Sequence, residues 1–199
     1  MSRLIMQLTG GQFSHAGICS RGSLGEAVDA YPREPHNAVA SQPISEFFDQ
    51  EQAPSGGEVY RYRGVADRAR EAAEFSIRQT SQEYIFDIMD PILGADHSLL
   101  YNERLYCSEF VWRCYRDGAG ITLVEPQNFC DVSQAATTPI LAQMARERME
   151  GLARAIANQL PDWKLAGVAR LKSVGHNGRF VTPSQLATSH LVQRVGGLP

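Results

Sequence analysis

The sequence predicts an α+β domain in which antiparallel strands and helices occupy separate stretches of the chain. Two observations predict it. Short alternating segments punctuated by glycine and proline crowd residues 13–64. Three helical patterns and one further alternating segment follow, without regular strand–helix alternation. With 199 residues, 43% hydrophobic and 21% charged, the chain suits one domain, 1–199, carrying a helical insertion at about 122–161.

Residues 13–20, FSHAGICS, alternate as a strand does. Arg21-Gly22-Ser23 reads as a turn, and residues 26–31, EAVDAY, return as a second strand stopped by Pro32. Residues 38–41 form a third short strand, and Ile44 to Gln50 a short helix. Residues 56–64, GGEVYRYRG, are a strand between glycines. Val65 to Gln79 is the clearest helix, because alanines and long side chains dominate and Val65, Ala69, Ala72, Ala73 and Ile77 keep helical spacing. Residues 83–103 read as irregular around Asp90-Pro91 and Gly94. Leu105 to Asp117 is a second helix, ended by Gly118 and Gly120. A third runs over about 139–160, between Pro139 and Pro161. Residues 163–171 alternate as a strand, and Thr182-Pro183-Ser184-Gln185-Leu186 opens a short terminal helix.

Charge and composition exclude some functions. Lys and Arg number 19 against 22 Asp and Glu, a net charge of −3, so no basic surface argues for nucleic acid. No apolar stretch is long enough for a transmembrane segment. The N-terminal MSRLIMQLTGGQFSH lacks the pattern of a signal peptide, so the expectation is synthesis in the cytoplasm, with any export by a specialised route. The cysteines, Cys19, Cys107, Cys114 and Cys130, have no zinc-site spacing. Asp87, Asp90, Asp96 and His97 match no metal loop. No metal and no organic cofactor is expected.

One constellation carries chemistry. Cys107 falls in the first turn of the second helix, where unpaired N–H groups and the helix dipole favour an anionic sulfur. Phe110, Val111, Cys114 and Tyr115 follow at helical spacing, so Cys107 shares their inward face. A buried structural thiol meets the same description, and a nucleophile also needs a base. His36, His97, His176 and His190 lie in polar or Gly- and Pro-containing segments, which makes them surface residues. His15 lies in a strand, where it can be held rigidly. A turn centred on Gly22 sets His15 directly opposite Asp29, close enough for the carboxylate to orient the ring. Glu26 is the alternative third residue, but its pairing moves the turn away from the glycines. The backbone N–H of Cys107 is the natural oxyanion donor. Tyr84 and Tyr106 are candidates to line the cleft and bind substrate, against aromatic packing as the ordinary role of both. Glu109 points away from Cys107 on the helix and reads as structural.

Ser-His-Ala-Gly-Ile (14–18), Asp-Ala (29–30), Tyr-Cys-Ser-Glu-Phe-Val (106–111) and Thr-Pro-Ser-Gln-Leu-Ala (182–187) together resemble the circularly permuted papain-like amidases, the YaeF/YiiX-like relatives of NlpC-type cell-wall peptidases. In the unpermuted fold the Cys helix precedes the His strand; here His15 comes first, which is the permuted order. The resemblance implies an antiparallel sheet packed on the helix of the nucleophile. It implies Cys107 as nucleophile, His15 as base and an acidic residue on the next strand. It implies a peptide-like amide substrate, with peptidoglycan stem peptides foremost. A wall-directed amidase made without a signal peptide suggests an antibacterial effector, with secretion machinery and an immunity protein as partners. The rival readings are a lipid-directed thiol acyl hydrolase or acyltransferase, and an interaction module with an inert Cys107. The family usually carries Glu before Ala at the acidic position. This chain offers both Glu26-Ala27 and Asp29-Ala30.

Overall fold

The computed structural model describes residues 6, 11–20, 25–31, 38–49, 57–86, 104–128 and 179–198. The expected helix at 139–160, the strand at 163–171, most of the expected insertion, and His36, His97, His176, Asp87, Asp90, Asp96 and Cys130 lie outside these residues.

Strands β1 (Gly17–Cys19), β2 (Glu26–Ala30) and β3 (Val39–Pro43) make an antiparallel sheet in that order. Helix α1 (Ile44–Asp49) continues directly from β3. Strand β4 (Gly57–Tyr62) leads into α2 (Ala66–Gln79). The two-residue strands β5 (Ile85–Phe86) and β6 (Arg104–Leu105) pair in parallel. Helix α3 (Cys107–Ala119) follows at once. Strands β7 (Gln127–Asn128) and β8 (Arg179–Phe180) pair antiparallel, α4 (Pro183–Thr188) follows, and β9 (Val192–Leu198) closes antiparallel on β4. The mixed helix and antiparallel-sheet architecture is the one expected. The tail adds a strand, β9, that its Gly196-Gly197 pair had hidden.

Helix α3 is the axis of the core. On one side Phe110, Cys114 and Ala119 pack with Val28, Ala30 and Val39 of the sheet and Ala72 of α2. On the other, Val111 and Trp112 pack with Leu123, Val181 and Leu186. From Cys107 to Cys114 every residue of the helix is buried, Ser108, Glu109 and Arg113 included, as befits an element covered on both sides. It begins at Cys107, two residues later than Leu105, which belongs to β6. Its far end is closed by Gly120, whose φ of 66° is left-handed and whose N–H bonds Arg116 O.

The sheet differs from expectation in one respect that matters for the site. Gly17, not His15, pairs with Asp29. His15 lies in the extended segment just before β1, not within the strand. The pairing is displaced by two residues, so every side chain keeps its expected face.

Candidate active site

Cys107 is the first residue of α3, and the sequence folds that way for local reasons. Tyr106 takes the extended N-cap conformation, with φ −124° and ψ 170°. Its carbonyl accepts the first helical bond, from Phe110 N–H at 2.9 Å. Glu109, three residues on, accepts the Tyr106 backbone N–H, the reciprocal half of a capping box. The N–H of Cys107 therefore stands in the unpaired first turn of the helix. Its side chain is 3% exposed.

His15 approaches this sulfur from the sheet side. Its Nε2 lies 2.8 Å from Asp29 Oδ2, and the ring is also within hydrogen-bonding reach of Cys107. With Nε2–H donated to Asp29, Nδ1 is the nitrogen left to face the sulfur. The register explains the reach. Asp29 sits directly opposite the small Gly17 on one side and Ala40 on the other. Its two long-armed partners come in diagonally, His15 from two residues ahead of Gly17 and Gln42 from two residues beyond Ala40. Gln42 Nε2 donates to Asp29 Oδ1 at 3.0 Å.

Aromatic rings enclose the imidazole. Phe47 of α1 lies 5.0 Å away between centroids, tilted by 31°, and Tyr31 meets it edge-on at 5.6 Å. The His15 side chain is 9% exposed and Asp29 is fully buried. Burial is the largest influence on His15 and pulls its pKa down. The negative charge of Cys107, the hydrogen bonds to Asp29 and Cys107 and the Asp29 charge outweigh it, raising His15 from 6.5 to about 10. An imidazolium thus stands beside the sulfur, with a carboxylate behind it. A sulfur held beside an imidazolium in this way is suited to attack on a carbonyl.

The other candidates lie elsewhere. Glu26 is on the opposite face of β2 from Asp29 and meets Ser41 Oγ at 3.5 Å on the exposed side, so it does not reach His15. Tyr106 corrects the expectation of a cleft-lining ring. It is 1% exposed, stacks on Phe180 at 4.8 Å, and its hydroxyl accepts the Val181 N–H at 2.9 Å. Tyr84 faces a different depression, shared with Phe75, Gln79, Arg113 and Asp117, whose lining does not include Cys107 or His15, and donates to Gln79. His190 is exposed, as its setting predicts. Cys114 is fully buried, and burial raises its thiol pKa far out of reach of neutral chemistry.

Sequence reasoning passed over three residues here. Gln42 shares a face of β3 with Ala40 but lies beyond the expected strand at 38–41, so alternation did not reach it. Phe47 gave none, because its place on His15 depends on how α1 folds back. Ser184 was legible only as a motif member; its Oγ accepts Phe13 N–H at 3.3 Å, tying the segment ahead of His15 to α4. Among the described residues, no group of three or more His, Cys, Asp or Glu side chains is set to hold a metal ion.

A family model described as "Permuted papain-like amidase enzyme, YaeF/YiiX, C92 family" matches residues 1–139. A solved structure, that of metalloprotein yiiX from Escherichia coli O157:H7, is 18% identical over 98% of this chain and 89% of its own, with a TM-score of 0.65. At that identity the likeness is one of fold. Among curated proteins no sequence matches.

Proposed function

The chain belongs to the C92 family of permuted papain-like amidases, a family of cysteine hydrolases, and from that premise we propose that Cys107 is its nucleophile, His15 its acid–base group and Asp29 the residue that orients His15. The observation that carries this reading is the position of the His15 ring, bonded to Asp29 on one side and facing Cys107 on the other.

In this reading the Cys107 sulfur attacks the amide carbonyl carbon and forms the C–S bond. The oxyanion that develops meets the free N–H of Cys107 at the start of α3. His15, protonated up to a pH of about 10, gives its proton to the leaving amine as the C–N bond breaks. A thioester and a neutral imidazole remain. His15 then takes a proton from water as the water oxygen attacks the thioester. The C–S bond breaks, the acid leaves, and the thiolate–imidazolium pair is restored. Asp29 holds the ring in one tautomer through both steps.

The substrate in this proposal is a peptide-like amide, with peptidoglycan stem peptides first among candidates. The protein would act on the wall of another cell as a delivered effector, and its producer would carry an immunity protein. Support comes from the amidase family and the peptide chemistry it handles. Purified wall incubated with wild type should release new amines that Cys107→Ala does not release. Directed to a periplasm, wild type should lyse the cells and Cys107→Ala should not. Intact wall in both tests refutes the wall substrate. If Cys107 reacts with a thiol reagent no faster than the other cysteines, and His15→Ala changes nothing, the hydrolase chemistry itself is refuted.

A further inference from the structure

We infer that Gln42 is a positioning residue of the site: its amide locks the Asp29 carboxylate in the orientation in which that carboxylate holds His15. The inference rests on the reading of Cys107, His15 and Asp29 given above and extends it by one residue.

The geometry sets the two donors on different oxygens. Oδ2 takes His15 Nε2 at 2.8 Å, and Oδ1 takes Gln42 Nε2 at 3.0 Å. A carboxylate rotates easily about its Cβ–Cγ bond, which is a broad torsion. A donor on each oxygen removes that freedom, because rotation would break both bonds. Gln42 has the right length for this. Ala40 lies opposite Asp29, so Gln42 starts two residues further along β3 and must cross the gap diagonally. An Asn there falls short by one methylene.

The amide is also the right kind of donor. A Lys or Arg at 42 would pair with Asp29 and cancel the negative charge that His15 feels. Neutral Gln42 holds the carboxylate without drawing that charge away. Gln42 is itself buried at 7% exposure, and a buried amide costs free energy unless it is hydrogen-bonded. Among the described residues, the charged groups that face His15 are Asp29 and Cys107, and the rings of Phe47 and Tyr31 also contact it.

The test follows the reaction of Cys107 with iodoacetate from pH 6 to 11, in wild type, Gln42→Met, Gln42→Asn and Asp29→Asn. Background from other thiols is measured on Cys107→Ala. Iodoacetate is an anion, so its rate drops where the neighbouring His15 loses its proton, which gives the profile an alkaline limb. If Gln42 positions Asp29, both Gln42 variants move that limb to lower pH, as Asp29→Asn does but by less. Amide hydrolysis falls by about tenfold in kcat with KM little changed, as loss of one positioning contact does. Gln42→Asn keeps a polar side chain, so it serves even if Gln42→Met folds poorly. A limb that stays in place in both variants, while Asp29→Asn moves it, overturns the inference and leaves the Asp29–His15 reading intact. A limb that moves upward overturns it too, because the carboxylate has then stayed put and only grown more basic. If neither Asp29→Asn nor His15→Gln alters the profile, the reading of the site fails and Gln42 falls with it.

Discussion

Adding one methyl group to Gly17 should damage both stability and chemistry, through different neighbours. Gly17 does not have the left-handed backbone of Gly120, so space is what requires glycine here. A Cβ at this position would lie 2.7 Å from Phe47 Cε2, 3.2 Å from Val28 O and 3.3 Å from Asp29 Cβ. Ordinary carbon contacts are about 3.5–4.0 Å, so Phe47 must retreat by roughly 1 Å. The Val28 carbonyl belongs to the β1–β2 ladder and cannot follow. Overpacking of this kind costs about 1–3 kcal/mol. For a chain of this size each kcal/mol lowers Tm by about 2–4 °C, which puts the loss for Gly17→Ala at roughly 2–12 °C. The chemistry suffers separately, because the displaced groups, Phe47 and Asp29, are the ones that touch His15. A misplacement of about 1 Å at a reacting group can cost about a hundredfold in rate. Thermal melts and amide hydrolysis at 25 °C, where the variant stays folded, separate the two losses. The double variant Gly17→Ala/Phe47→Ala should lose less stability than the sum of the single ones, since the clash is then relieved. A Gly17→Ala protein that melts and hydrolyses as wild type does would refute this account of the Ser-His-Ala-Gly-Ile motif.

Three further outcomes are expected. His15 has a pKa of about 10 in the folded protein against 6.5 unfolded, so its stabilisation is full below about pH 6.5 and is lost as pH rises through 10. The unfolding free energy from urea titrations should therefore fall across that window, by an amount on the order of a few kcal/mol, and His15→Gln should flatten the fall. Glu109→Ala removes the buried carboxylate that holds Arg113 at 2.8 Å and uncaps the Tyr106 N–H. It should destabilise by about 3–5 kcal/mol in a denaturant titration, with Glu109→Gln costing less. Thr182→Ala removes the acceptor of the Gln185 N–H at 3.0 Å in the capping box of α4 and should cost about 1 kcal/mol.

Much of this arrangement is legible in the sequence because it rests on local signals. The helix of Cys107 follows from apolar spacing and a closing glycine. The start of α4 follows from Thr182, Pro183 and Gln185, which form a capping box with proline at the first turn. The register of β1 on β2 is another matter. A displacement of two residues leaves Ile18 and Val28 on the same faces, so the hydrophobic pattern cannot distinguish the two pairings. Turn chemistry centred on Gly22 favours His15 opposite Asp29, while the packing of Phe47 against Gly17 fits the other register. Asp29 meets His15 in either register, because face matters more than exact opposition. β9 fails on local grounds, since Gly196 and Gly197 argue against a strand and its partner β4 is distant in sequence. Tyr106 looked like a substrate contact because an aromatic beside a nucleophile suggests one. Only the tertiary position of Val181 turns it into a strut.

That strut, with its neighbours, explains how a permuted chain holds two distant arms together. His15 and Cys107 lie on separate elements, joined directly by the sulfur–imidazole contact and by the packing of Ala16 and Ile18 against α3. The segment 181–184 joins them indirectly. Val181 is gripped from both flanks of Cys107: Tyr106 OH accepts its N–H at 2.9 Å and Ser108 Oγ donates to its carbonyl at 2.7 Å. Three residues later, Ser184 Oγ accepts the N–H of Phe13, two residues ahead of His15. The start of α4 lies between these anchors and is fixed by its own capping box. A short capped element thus ties the arm that carries Cys107 to the arm that carries His15. The Thr-Pro-Ser-Gln motif is then needed for geometry even though none of its side chains touches His15 or Cys107 through a hydrogen bond among those described. This also accounts for the order of the chain. Once the helix of Cys107 and the segment of His15 are joined through a third element, their order along the sequence is free to change while the site is preserved.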